Sequence, residues 1–457
     1  MTTSVDVSSG PVTTAPAVHR AWWRSRLEGA TTPARLRLLL ALLILLSLAW
    51  GVLAALTADQ HASAAADVVA VSEPLSLDAE QIYTSLSDAD ATAASAFLAG
   101  GLEPAAARQR YQADIAEAAI RIEAASALVG SSAARTELPG HLANQASAAA
   151  SAIGDDLAML SGQLPVYTDE VGTARADNRL GLPLGAAYLR EASARLRGTL
   201  LPAASDIYTR ESALLTSASA QATGLPLIVI TVLAGLGLGY VLYRSSRWLS
   251  RHTHRMINYG LLLAALAGLI SLVWLVASFV AGRGDLLHAQ QQGSGPVQAF
   301  ARAEVAALQA HADESLTLID NGGDDTYQKD YLTQQKLLGP GPGTLLAAVQ
   351  AAGGPGSDVA AQARAWYQAH AALRAKDDGG SHAAAVQSAL NGDAAASFAR
   401  LSATLSQGIN DHQAVFAASA RSGRDAFTGL AVGMIVASLV MVAGCISGLS
   451  RRLAEYR

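Results

Sequence analysis

The chain has 457 residues, of which 51% are apolar, only 15% are charged, and the formal net charge is −5. That balance excludes an ordinary soluble enzyme, in which about a quarter of residues are charged, and leaves room for membrane spans plus two or three domains. With a single cysteine, Cys445, no intramolecular disulfide can form, so any domain outside the spans folds on packing alone.

Residues 1–35 open with a stretch rich in Ser, Thr, Val and Pro that lacks periodicity, and then gather Arg20, Arg24, Arg26 and Arg35, which reads as a disordered basic leader. The first apolar run, Leu38 to Leu56, is close to the roughly 20 residues needed to cross a bilayer. It lies too far from the N-terminus, and is too long, for the apolar core of a cleaved signal peptide, so an anchored helix over 36–57 is predicted.

Residues 58–223 are rich in Ala, Leu, Glu, Gln and Arg and predict helix throughout. Ile115, Ala118, Ala119, Ile122, Ala125 and Val129 form one apolar face, and Leu189, Leu196, Leu200, Ile207 and Leu214 another. Breakers at Gly100-Gly101, Pro139-Gly140 and Gly181 to Pro183 divide the segment into four helices, an up-and-down bundle whose first and last helices are expected to run on into spans one and two.

Gly224 to Tyr243 is the second span, with Gly235 and Gly239 as a small-xxx-small pair suited to helix packing. The loop 244–259 carries Arg244, Arg247, Arg251 and Arg255 without an acid. Gly260 to Ala281 is the third span, and 282–426 reads as a second helical bundle with a face of Val305, Leu308, Ala312, Leu316 and Ile319. Phe427 to Leu449 is the fourth span, and 450–457 a short tail. The expected fold class is therefore an all-α integral membrane protein with four transmembrane helices and two extracytoplasmic bundles in tandem. An internal echo supports duplication: Ala89-Asp90, Gly100-Gly101 and Tyr111 to Asp114 recur as Ala312-Asp313, Gly322-Gly323 and Tyr327 to Asp330.

Orientation follows from charge. The residues before the first apolar run (1–37), the loop and the tail together hold 12 basic and 3 acidic residues, whereas 58–223 and 282–426 carry nets of −10 and −4. Basic residues stay on the cytoplasmic side, so both termini are expected there, in a multi-pass protein of the cell membrane.

Chemistry-bearing motifs are sparse. The Gly339 to Gly343 loop is not followed by Gly-Lys-Ser/Thr and cannot cradle a nucleotide. Asp320, Asp324 and Asp325 resemble a calcium loop, but its twelfth position is Tyr331, not Glu, so helix capping is preferred. His252 and His254 diverge on a helix and suit lipid phosphates better than a metal. Neither catalytic residues, nor a metal, nor a cofactor, nor nucleic acid is expected. The spans lack the ionisable midplane groups of a carrier, so a sensor shape remains.

The run Gly181 to Ser193, GLPLGAAYLREAS, and the stretch Ala312 to Ile319, ADESLTLI, resemble the actinobacterial GlnX family of four-span membrane proteins. The resemblance covers the spans and both outer segments, and the first bundle is similar to chemoreceptor sensor domains. It implies partners: a glutamine-family solute-binding lipoprotein outside and the serine/threonine kinase PknG inside, with amino-acid availability relayed between them to control nitrogen and glutamate metabolism. The family carries over no catalytic residues. The candidate contacts, taken as exposed, are Asp313, Glu314, Asp320, Asp324, Asp325 and Tyr327 in the second bundle, and Tyr188 and Arg190 in the first. Two alternatives stay open: a direct small-molecule sensor in which Arg121 and Arg190 meet a ligand carboxylate, and a structural envelope protein whose bundles form homo-oligomers. In the relay, Arg244, Arg247, Arg251 and Arg255 are the cytoplasmic docking candidates.

Overall fold

The computed structural model describes residues 32–101, 103–133, 141–253, 258–321, 323, 325–339, 341–353 and 356–454. Residues 1–31 of the basic leader, the Pro139-Gly140 breaker, His254, Arg255 and Asp324 lie outside these residues, and Thr32 to Arg35, expected as disordered leader, open the first helix. Every regular element among the described residues is helical, as expected where helix formers dominate and β-branched runs are few.

In chain order the helices are α1 (Thr32–Asp67), α2 (Glu73–Leu98), α3 (Ala105–Ala133), α4 (His141–Arg179), α5 (Leu184–Arg195), α6 (Leu201–Ala222), α7 (Pro226–Thr253) and α8 (Tyr259–His288). They continue with α9 (Gly295–Asp320), α10 (Thr326–Leu338), α11 (Leu345–Ala352), α12 (Gly356–Asp378), α13 (His382–Asn391), α14 (Asp393–Asp425) and α15 (Leu430–Ala454). Three π-helical segments, Val68–Ser72, Leu196–Leu200 and Ala289–Ser294, join α1 to α2, α5 to α6 and α8 to α9. The first and third occupy matching places, each between an apolar helix and a long helix of the polar unit, which extends the echo seen in the sequence.

Among the described residues four helices are long and apolar enough to cross a membrane. Two boundaries differ from the sequence reading. Helix α6 does not run on into the second span: it ends at Ala222 and α7 begins at Pro226, because proline has no N–H to give the preceding turn and disfavours helix in the residue before it. The fourth span starts at Leu430, after a turn in which Gly429 takes φ +75°. Phe427 stacks instead on His61, ring centroids 6.0 Å apart.

The chain divides into two compact units. The apolar unit comprises the described parts of 1–58, 225–277 and 429–457. Its helices are tied by polar contacts: in the interior Trp50 Nε1 donates to Thr231 O (3.1 Å), Thr57 and Thr231 hydroxyls meet at 2.7 Å and Ser438 Oγ donates to Ser47 O (3.0 Å), and in a half-buried place Asn258 Nδ2 donates to Gly448 O (2.9 Å). Each satisfies a polar group that lipid would leave bare. Of the expected glycine pair only Gly235 is packed, against Trp50 and Leu272; Gly239 faces open space. A close backbone approach lies elsewhere, between α8 and α15, where a Cβ on Gly260 would fall onto the backbone of Gly444 and Gly448.

The helical unit comprises 59–224 and 278–428. The predicted faces are largely its interior: Ala118, Ile122, Ala125, Val129, Leu189, Leu196, Leu200 and Ile207 are buried, as are Val305, Leu308, Ala312 and Leu316. Ala119 alone of the first face is exposed. The segments expected as separate bundles share one core, because α2 and α9 pack against each other and Ile82, Leu86 and Leu160 join the same cluster as Phe300, Leu405 and Trp366.

Overpacking at the α8–α15 crossing should be costly: Gly260→Leu is expected to destabilise the detergent-solubilised protein by about 1–3 kcal/mol, measured by thermal unfolding, while Gly239→Leu leaves the midpoint unchanged.

Candidate functional site

The helical unit buries Asp78, Glu80, Asp90, Glu211, Glu304, Asp313 and Glu314, and burial of an ion is tolerated only where it is paired or neutralised. The pairing centres on Arg197, in the π-helical segment between α5 and α6. A π segment adds a residue to the helical turn and re-aims side chains there. Arg197 Nη1 bonds Asp313 on α9, and its Nε lies 3.4 Å from Asp90 Oδ2 on α2. Ser193 Oγ completes Asp90 at 2.9 Å. Asp90 and Asp313 are matching aspartates of the internal echo, so one guanidinium joins equivalent positions of the two halves. Burial works against its charge, but Asp90 and Asp313 outweigh it and hold the guanidinium above its usual range. Burial also pushes the Asp313 carboxyl up to about 7, against the pull of Arg197.

The expected contact residues fare differently. Asp313 and Glu314, taken as exposed, are buried, because α9 turns the face that carries them toward the other helices. Glu314 accepts a 2.7 Å bond from His370 Nδ1, and His311 Nδ1 lies 3.4 Å away. Burial raises its pKa, yet these two histidines reverse the effect and bring it down to about 2. Arg190 pairs with Asp320, and Tyr327 lies within the field of both and of Arg197, so Asp313, Asp320, Tyr327 and Arg190 gather around one network. Tyr188 packs against the core from its edge. Asp325 is exposed at the start of α10. Arg121 is separate, held by Asp78 at 3.0 Å and Glu117 at 2.7 Å; neither it nor Arg190 is left free to meet a ligand carboxylate. Arg244 and Arg247 are exposed on α7, with Arg247 Nη1 donating to Tyr243 at 2.9 Å; the side chain of Arg251, like Arg255, lies outside what is described.

Residues not singled out from sequence form a cleft beside this network. Helices α2, α3, α9, α13 and α14 enclose about 410 Å³, with Asp88, Arg110, His311 and Ser406 among the lining groups. Arg110 Nε donates to Asp88 Oδ2 at 2.9 Å. Ser406 Oγ bonds the buried Glu304 behind the wall. Burial pushes Glu304 to about 7, and burial with the nearby Asp88 does the same to Asp114. Deeper in, Glu80 reaches about 8 through burial and repulsion from Glu304, tempered by a 2.6 Å bond from Gln413. The available signal was an acid interrupting an apolar face: Glu80 adjoins Ala79 and Ile82, and Glu304 adjoins Val305. Among the described residues no group of three His, Cys, Asp or Glu side chains is arranged to hold a metal.

Comparison with known families places a match to the actinobacterial sensor domain on residues 64–220, from the end of α1 to α6. No curated protein and no solved structure matches the chain. The matched domain, carried on a chain with four helices long and apolar enough to span, defines a multi-pass membrane protein with a sensing or signalling role.

Removing Arg197 strands two buried carboxyls. Arg197→Met should destabilise the helical unit by about 3–5 kcal/mol, and adding Asp90→Asn and Asp313→Asn should recover much of the loss in a denaturation series.

Asp114, Glu80, Glu304, Asp313 and Glu211 all have folded pKa values above the ordinary 3.8–4.5, at about 7 to 8. The folded state then holds more protons than the unfolded one, so their contribution is full below about pH 4 and declines as pH rises to about 8. Glu314 has the opposite sign, but its window lies between 4.5 and about 2. Thermal unfolding at pH 5.5 should therefore occur at a higher temperature than at pH 8, and Glu80→Gln should flatten the difference.

Proposed function

We propose that the chain is a non-enzymatic transmembrane relay. In this reading the helical unit stands outside the cell membrane, takes up amino-acid availability through a solute-binding lipoprotein, and passes it to a soluble serine/threonine kinase of the PknG type at the inner face. The observation that carries it is the sensor-domain match on residues 64–220 in a chain with four span-forming helices. Further support comes from the basic residues of leader, loop and tail, from the resemblance of GLPLGAAYLREAS and ADESLTLI to the GlnX family, and from a charge network that joins two helical segments through one residue, Arg197. Two arrangements of such a network would differ by the few kcal/mol that a bound partner can supply. Asp325 outside, and Arg244 and Arg247 inside, are the exposed docking candidates.

Full-length protein in nanodiscs should retain the organism's glutamine-family binding lipoprotein in a manner that changes with glutamate or aspartate. Retention that ignores the amino acid, or none at all, sinks the relay. On the other side, Arg244→Glu with Arg247→Glu should weaken kinase retention at least tenfold.

A second reading, direct sensing of a small molecule by the helical unit, is favoured by the cleft of about 410 Å³ and its polar lining, a size within the usual range for ligand sites.

A further inference from the structure

The cleft combines space with an uneven charge. Asp88 and Arg110 face it and pair with each other. Behind them Asp114 and Glu304 lie within the field of both, and Glu80 lies within that of Glu304. Three carboxyls, Asp88, Asp114 and Glu304, thus lie in the field of one guanidinium. Asp114 Oδ2 is buried without a hydrogen-bond partner. His311 is 8% exposed and lines the cleft while stacking on Phe398 at 3.9 Å, with its Nδ1 turned to Glu314 at 3.4 Å. Hydroxyls of Thr92, Ser95 and Ser402 complete the polar wall. A protein that surrounds a cavity with unbalanced carboxyls favours a positive occupant, since opposite charge within a few ångströms restores the ionised form of each acid.

We propose that this cleft binds a small organic cation, an alkyl amine or diamine, whose ammonium group pairs with Asp88 while the hydroxyls orient its chain. This rests on the direct-sensing reading and gives it a ligand class. Binding of an ammonium draws protons off the surrounding carboxyls, so affinity for an amine should rise between pH 6 and 8. An anionic ligand would need Arg110 released from Asp88, and would bring a further negative charge among acids already crowded.

Isothermal titration of the full-length chain in nanodiscs with 1,4-diaminobutane, and with succinate as the four-carbon dianion, tests the assignment. Saturable binding of the diamine is expected, with at least tenfold weaker succinate binding. Two variants locate it: Asp88→Asn removes the ammonium partner, and Ala403→Trp fills the cleft from an exposed lining position. Affinity should fall at least tenfold in both. Diamine binding that is absent in the parent chain, or that survives either variant, overturns the proposal. Succinate binding that is lost only in Ala403→Trp would keep the cleft as a ligand site while overturning its cationic class, and no binding of either compound would remove both.

Discussion

The helical unit depends on one guanidinium. Arg197 reaches from the π segment between α5 and α6 to Asp90 on α2 and Asp313 on α9, the two long helices through which the segments on either side of the second and third spans share a core. Hydrophobic contact alone would leave those helices free to slide by a turn, since Ala-rich faces are smooth and their burial is non-directional. A buried charge pair is directional. It costs desolvation that a well-packed apolar contact avoids, and what it supplies in return is register: any displacement leaves an uncompensated charge inside the protein.

Around this centre the unit is unusually rich in ionisable groups. Glu314 between His311 and His370, and Glu80 beside Glu304, illustrate two ways of keeping an acid inside. The first is ionised and paired; the second pair avoids charge by holding protons. A protein built only for stability has little use for either. A protein whose states respond to a bound partner or ligand gains from both, because small changes of local charge bias groups already close to balance.

The apolar unit follows another logic. Leu38, Leu45, Leu233, Leu269 and Val432 face outward, which suits lipid. Inward contacts rely on glycine, as at Gly260, Gly444 and Gly448, and on single hydroxyl, indole or amide hydrogen bonds. In lipid there is no hydrophobic force between helices, so close backbone approach and hydrogen bonding carry the association.

The sequence by itself determined the helical class, the four apolar spans and most of the buried faces, because composition, hydropathy and 3.6-residue periodicity are local properties. It also held the Asp90–Asp313 echo. Tertiary structure alone decided that this echo is one interaction, that Asp313 and Glu314 are interior, that Gly260 and not Gly239 marks a helix crossing, and that Asp88 and Arg110 border a cleft. These facts depend on which helix lies beside which, separated by 107 residues between Asp90 and Arg197 and 116 between Arg197 and Asp313. A charged residue at a given helical position reads the same whether it faces water or a partner across such a gap, and only the packing tells them apart.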